Sequence, residues 1–389
     1  MVLLKIHADN IFMFENFTYD LTFKKKIINS TIPNEYLLDY PNIRIKKVNV
    51  LMGANASGKT TLGKLMCLIY NYVNGRDISR FLVYDLKDLI FNKSRNSEFS
   101  VEFIIEDTIY LLEVKFNSKK IISEKLFSCN IRKNDYINTL RKRLYDSQPK
   151  GYAENVPAFS SLVLQKYILG SDDGIFNMTY LEHIKSKTSY LFTFSDYNDE
   201  VTTDELKKRT VDIEFMSKIL SIIDNSIKNV EMVNPEKDDS FYINFKNGES
   251  TIVPNGIPEK IDKSRISHGT CEAIRFVYIL DLIKNNTGLF FIDELMSHMH
   301  TELETLLLNL LISNLNNETQ IIYTTHNEDC LDLILPIHSF SFLRRGNNMN
   351  NEIIYPELTF NKNDRKLRYL VKNDYFKTIP QLDNIYEYL

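Results

Sequence analysis

Gly53-Ala54-Asn55-Ala56-Ser57-Gly58-Lys59-Thr60 decides the fold of this chain. Its glycines let backbone N–H groups curl around phosphate oxygens. The run before it, residues 43–52, alternates and then turns continuously apolar, as a strand entering a buried sheet does. After it, Leu62, Leu65, Met66 and Ile69 fall at helical spacing and predict a helix over 60–72. Strand, loop and helix in that order set phosphate at a helix N-terminus, where the positive end of the dipole adds to the loop amides. In such a loop Lys59 reaches the β- and γ-phosphates and the Thr60 hydroxyl ligates Mg²⁺. Average residue usage gives this pattern by accident in roughly one chain in a hundred of this length, and the flanking strand and helix cut that further.

Three further stretches add chemistry. Leu289-Phe290-Phe291-Ile292-Asp293-Glu294 reads as a buried strand with two carboxylates at its C-terminal end, where open α/β sheets bind ligands. Asp293 there holds Mg²⁺, and Glu294 orients and polarises an attacking water. Tyr323-Thr324-Thr325-His326 ends the next apolar strand, so His326 faces the same edge and can contact the γ-phosphate. Ile266-Ser267-His268-Gly269-Thr270 opens a helix leading into the carboxylate strand. Alone it is an ordinary N-cap; its place before that strand makes Ser267 and Gly269 a second anion site.

The rest of the chain frames these pieces. At 389 residues, 43% hydrophobic and 25% charged, it is a globular chain with ample core. No apolar run approaches the roughly 20 residues that cross a bilayer, and the start lacks a secretory signal pattern, so the cytoplasm is the expected address. Cys67, Cys129, Cys271 and Cys330 are scattered and read as reduced thiols rather than disulfides or a metal site. A net charge of −4 gives no global pull toward nucleic acid. The basic clusters at Lys24–Lys26, Arg141–Arg143, Lys207–Arg209 and Arg365, Lys366 and Arg368 read as solvated faces.

Strands are predicted over 2–8 and 17–23, and runs 99–105, 108–116 and 120–126 look like an antiparallel meander. Residues 128–233 turn mainly helical, with breaks near 149–152 and 170–174 and the best helix over 204–230. Strands at 241–245 and 250–253 precede an alternation of helix 267–284, strand 288–292, helix 301–315 and strand 320–323. That alternation predicts a parallel α/β sheet. The expected organisation is a first ATPase lobe over 1–127 (phosphate loop and meander), a helical insert or lid over 128–235, and a second lobe with the tail over 236–389.

With these pieces in order, the chain resembles the ABC-class, SMC-like ATPases. Within them it is similar to the compact AAA-type ATP-binding proteins of prokaryotic antiphage defence operons, the abortive-infection and OLD-like group lacking a fused nuclease. The loop with its extra Thr61 looks like that class's GxNxSGKTT, residues 266–270 like a degenerate signature motif, and Ser297-His298-Met299-His300 like its D-loop. His326 matches the switch histidine, and the turn at 10–14 and the tail at 367–380, with Arg368, Phe376 and Pro380, resemble the defence-associated subgroup. His268 replaces a small signature residue and Met296 stands where an acidic or small residue is usual. Gln148 and Gln165 are the candidates for the glutamine that senses Mg²⁺ between the lobes.

The resemblance implies an ABC-type ATPase head with a mixed sheet, slow hydrolysis of ATP, and Mg²⁺ as cofactor. One subunit holds nucleotide through Gly53, Ala54, Asn55, Ala56, Ser57, Gly58, Lys59, Thr60 and Thr61, with Asp293 and Thr60 on the metal and Glu294 and His326 catalytic. Ser267, Gly269 and Thr270 of a second copy close over the γ-phosphate in a head-to-tail, two-fold dimer, with a higher assembly also open. It further implies a switch that senses phage infection and controls a separately encoded effector, a toxin or nuclease. Two other functions fit the same residues: a DNA-clamping, SMC-like maintenance ATPase, which would add nucleic acid as a partner, and an ATP-dependent assembly scaffold with little turnover. Neither implies a membrane.

Overall fold

A computed structural model describes residues 1–26, 30–169, 178–195, 197–203, 206, 212–234, 240–256, 266–346, 350–360 and 367–378. The chain begins with β1 (Val2–Asp9) and β2 (Phe17–Asp20), then the ribbon β3 (Tyr36–Leu37) and β4 (Tyr40–Arg44). It continues through β5 (Val48–Met52), α1 (Lys59–Val73), the ribbon β6 (Arg80–Phe81) and β7 (Tyr84–Asp85), and α2 (Leu86–Leu89). Three long strands follow, β8 (Ser97–Ile105), β9 (Thr108–Phe116) and β10 (Ile121–Asn130), then α3 (Ile137–Tyr145), β11 (Gly151–Val156), α4 (Leu162–Lys166) and α5 (Tyr180–Ser186). Next come β12 (Tyr190–Phe194), β13 (Tyr197–Thr202), α6 (Ile213–Ile223), β14 (Ile227–Met232), β15 (Phe241–Phe245) and β16 (Ser250–Val253). The last part holds α7 (His268–Asn285), β17 (Leu289–Asp293), α8 (Thr301–Ser313), β18 (Gln320–Thr324), β19 (Phe340–Arg345), β20 (Asn351–Ile354), α9 (Pro356–Thr359) and α10 (Leu367–Lys372).

The main sheet runs β13-β12-β17-β18-β5-β19-β20, with the five inner strands parallel and the two edge strands antiparallel. Its inner strands are buried along almost their whole length because both faces are covered. Leu51, Leu289, Phe291 and Ile322 pack toward α1, while Val48, Val50, Phe290, Ile292 and Ile321 pack toward α7 and α8. The antiparallel meander β11-β10-β9-β8-β1-β2 forms a second sheet on the far side of α1. Held between two sheets, α1 is buried nearly all round. Tyr72 meets Phe99 of the meander edge-on at 5.4 Å, and Tyr70 meets Phe192 of the main sheet at 5.7 Å. No described helix is long and apolar enough to cross a membrane.

Segment 128–233 is less helical than its pattern predicts. It carries α3 to α6, but also β11, which extends the meander, and β12 and β13, which belong to the main sheet. Tyr190-Leu191-Phe192-Thr193-Phe194 is too short for its periodicity to separate a buried strand from a buried helix. Its pairing with β17, from Tyr190↔Leu289 to Thr193↔Ile292, decides for strand. The helix expected over 204–230 is α6, which ends at Asp224 and gives way to β14. The strand expected over 43–52 is two, because β4 pairs with β3 before β5 joins the main sheet.

Three arginines of the basic clusters are held in ion pairs. Arg141 is buried and paired with Glu102 at 2.6 Å and Asp20 at 2.9 Å, Arg143 is paired with Asp135, and Arg368 with Asp329 and Asp332. Lys207–Arg209, Arg365, Lys366, Pro380, residues 170–174 and the start of the helix expected at 204 lie outside the described residues.

One close approach sets the distance between α1 and the sheet. A Cβ on Gly63 would lie 2.2 Å from the Phe291 ring, which is itself held among Phe192 and Phe194. Gly63→Ala therefore pushes α1 off β17 and should lower stability by about 1–3 kcal/mol in denaturant unfolding. An unchanged midpoint would show that the helix has room to spare.

Candidate functional site

The parallel strands β12, β17, β18 and β5 all end at one edge of the main sheet, and that edge gathers the polar groups. β5 runs straight into the loop of residues 53–60, which returns to α1 through Gly58 at φ 104°, a left-handed conformation that disfavours a side chain. The loop is tight at its start: a Cβ on Gly53 would lie 2.3 Å from the Leu343 carbonyl oxygen and 2.7 Å from Ser57 Oγ. Asn351 of β20 donates from its amide to the Ser57 carbonyl at 2.6 Å and braces the loop from the sheet side. Ala54 is half-buried, while Asn55 and Ala56 form the exposed tip.

At the head of α1, the Thr60 hydroxyl donates to Asp293 Oδ2 at 2.7 Å, and Thr61 is half-buried beside it. Asp293 is 2% exposed. Its Oδ2 also accepts from Ser195 Oγ at 2.8 Å and Ser195 N–H at 3.2 Å, and its Oδ1 accepts from Thr324 Oγ1 at 2.6 Å. Ser195 follows β12 directly, so the strand misread from sequence supplies a group to the site. Of the glutamine candidates, Gln165 lies on α4 with its amide on Ser160 Oγ, and Gln148 is exposed after α3.

Glu294 turns the chain at φ 48°, with its N–H on Thr324, and that left-handed turn directs its carboxylate toward Lys59 and His326. Lys59 Nζ donates to the Gly53 carbonyl at 2.9 Å and lies 3.4 Å from Glu294 Oε1. His326 Nδ1 lies 3.2 Å from the same oxygen. Burial alone would push the Glu294 carboxyl up, but the His326 hydrogen bond and the charges of Lys59 and His326 outweigh it and hold the group below the usual carboxylate range. The hydrogen bond to Glu294 in turn raises His326 above the usual imidazole range, against partial burial.

Residues 266–270 divide in two. Ser267 caps α7, its Oγ accepting from Thr270 N–H at 3.0 Å. Ser267 and His268 are exposed and Gly269 is half-buried, but Thr270 is fully buried with its hydroxyl 2.7 Å from Ser267 Oγ. In the single chain Thr270 is thus buried as part of the cap, whereas Ser267 stands exposed. His268 stacks on His298 with ring centroids 5.3 Å apart, and His298 is held by Glu272 at 2.6 Å. No cluster of three or more His, Cys, Asp or Glu suited to a metal occurs among the described residues.

The donors suit a nucleotide's phosphates and a hard cation. Ser57 Oγ is buried without a hydrogen-bond partner among the described residues, a deficit that a phosphate oxygen would fill. The carboxylate of Asp293 with the Thr60 hydroxyl is the all-oxygen set Mg²⁺ prefers.

The charged Glu294–His326 pair has a defined pH window. His326, raised on folding, contributes stability that is lost as pH rises through its folded value; Glu294, lowered on folding, contributes stability that is lost as pH falls through its own. NMR titration should find His326 above the usual imidazole range, and Glu294→Gln should bring it down. Identical titration in both proteins would show that the two side chains do not meet.

No curated protein matches the chain. Among solved structures it is similar to the SmcHead bound to the C-winged helix domain of ScpA, with a TM-score of 0.48 and 13% identity over 92% of this chain and 100% of that one. It is also similar to the SMC head domain from Thermotoga maritima, with a TM-score of 0.39 and 11% identity over 91% of this chain and 99% of that one. A family model described as "AAA domain, putative AbiEii toxin, Type IV TA system" matches residues 48–332, from the first residue of β5 to beyond His326, and the chain belongs to that AAA-domain family.

Proposed function

We propose that this AAA-family protein is a Mg²⁺-dependent ATPase in which bound ATP joins two copies and hydrolysis releases them. The observation that carries this is the convergence of Lys59 and His326 on one carboxylate oxygen of Glu294, beside the Thr60–Asp293 pair. Lys59 is held by the Gly53 carbonyl and Glu294; arriving β- and γ-phosphates take it over, with the loop amides and Ser57 Oγ. Asp293 and Thr60 would hold Mg²⁺, which neutralises charge on the β- and γ-oxygens. Glu294 loses the Lys59 charge at that moment and becomes a better proton acceptor. With His326 still beside it, it takes the proton of the attacking water. Ser267 and Gly269 of a second copy supply the exposed helix terminus that covers the γ-phosphate, and a two-fold arrangement makes two such sites.

The switch acts on a separately encoded partner, a toxin or nuclease under control of a phage-derived trigger. Support comes from the resemblance to defence ATPases and from a family description that names a toxin–antitoxin system. DNA clamping has less support, since Arg141, Arg143 and Arg368 are spent on internal ion pairs.

Glu294→Gln should retain ATP binding, lower turnover by about 100-fold or more, and shift the protein to a dimer with Mg-ATP in light scattering. ADP should leave it monomeric. Wild-type turnover no faster than the variant's would make the protein a scaffold, and a monomer with Mg-ATP would overturn the dimer. Co-expression with the neighbouring gene should yield a complex whose activity depends on nucleotide. A chain that purifies alone, with no effect on its neighbour's activity, would remove the effector role.

A further inference from the structure

A second buried carboxylate stands beside this edge. Glu304, in the first turn of α8, is 5% exposed and forms no ion pair with Lys or Arg among the described residues. Its Oε1 accepts from the Tyr323 hydroxyl and the Thr325 hydroxyl, each at 2.8 Å, and its Oε2 accepts from the Asn327 amide at 2.9 Å. That amide also donates to the Thr301 carbonyl at 3.1 Å, and Asn327 N–H donates back to Thr325 Oγ1 at 2.9 Å. Both chain neighbours of His326 are therefore tied to the start of α8, while His326 itself stands half-exposed with Nδ1 on Glu294.

An unpaired buried carboxylate is destabilising unless hydrogen bonds compensate, and at a position needed only for packing an apolar residue would serve better. Three donors aimed at Glu304, two of them from the residues flanking His326, give the carboxylate a more specific task. We propose that Glu304 is a positioning residue that fixes the Thr325–Asn327 turn and so sets where His326 meets Glu294. This rests on Glu294 and His326 as the hydrolytic pair.

The same contacts give the turn a mechanical origin. α8 starts from residues 297–300, with Glu304 N–H on the His300 carbonyl at 3.0 Å, and the His298 N–H is fixed to Glu272 of α7 at 3.1 Å. The exposed His268–His298 face and the His326 turn are thus the two ends of one hydrogen-bonded frame built on α8. The negative charge of Glu304 also helps hold the His326 proton.

Asn327→Ala cuts the link and leaves the Glu304 charge in place; Glu304→Gln keeps the shape and turns one acceptor into a donor. In the full chain, both variants should lower the NMR titration of His326 and reduce kcat for ATP by about 10- to 100-fold with KM unchanged. Thermal melts establish that each variant is folded. A folded Asn327→Ala protein with wild-type His326 titration overturns the proposal. So does a shift confined to Glu304→Gln, which is the through-space effect of the lost charge. If the wild type does not hydrolyse ATP, the hydrolytic assignment fails, while the His326 titration still decides whether Glu304 positions it.

Discussion

Asp293 collects hydroxyls from three directions: Thr60 from the head of α1, Ser195 from the end of β12 and Thr324 from the end of β18. A carboxylate that is 2% exposed loses most of its hydration, and these donors replace the water it gives up. In doing so they set the register of three strand ends and one helix around a single point. Glu294 comes next in the chain, and its left-handed turn is held by Thr324, the residue that also binds Asp293. The arrangement of Lys59, Glu294 and His326 therefore follows from how Asp293 is held.

That point is accessible only because α1 lies close to β17. Gly63 leaves no Cβ between the helix and the Phe291 ring, and Thr60, one turn earlier, comes within hydrogen-bonding distance of Asp293. Two sheets enclose α1, so its position is fixed by apolar packing on both sides rather than by the polar contacts at its head. The loop is tightened in the same manner. Gly53 passes under the Leu343 carbonyl, and Asn351 braces the Ser57 carbonyl, so two C-terminal strands shape an N-terminal loop. Packing thus places the frame, and a few buried hydrogen bonds refine it.

How much was legible from sequence follows the same division. Residues 53–60, Asp293 with Glu294, and His326 were readable because each lies within a short contiguous stretch at a strand end, where local pattern carries the signal. The alternating helices and strands after residue 267 were readable for the same reason, and α7, β17, α8 and β18 match them closely. Ser195, Asn351 and Glu304 carry no local signature. Their roles come from partners 98, 294 and 19 to 23 residues away, which only the fold brings together. Ser195 was hidden further by the strand before it, five buried residues inside a stretch that otherwise reads as helix. Thr270 is the converse: it lies within the motif at residues 266–270, and local capping buries it.

The most direct test of Asp293 as the organising group is Asp293→Asn, which keeps the size and removes the charge. Titration of a fluorescent ATP analogue with and without Mg²⁺, alongside circular dichroism, reads the site and the fold separately. A folded protein that has lost the Mg²⁺-dependent part of its nucleotide affinity is the predicted result. A variant whose affinity responds to Mg²⁺ as the wild type's does would contradict it.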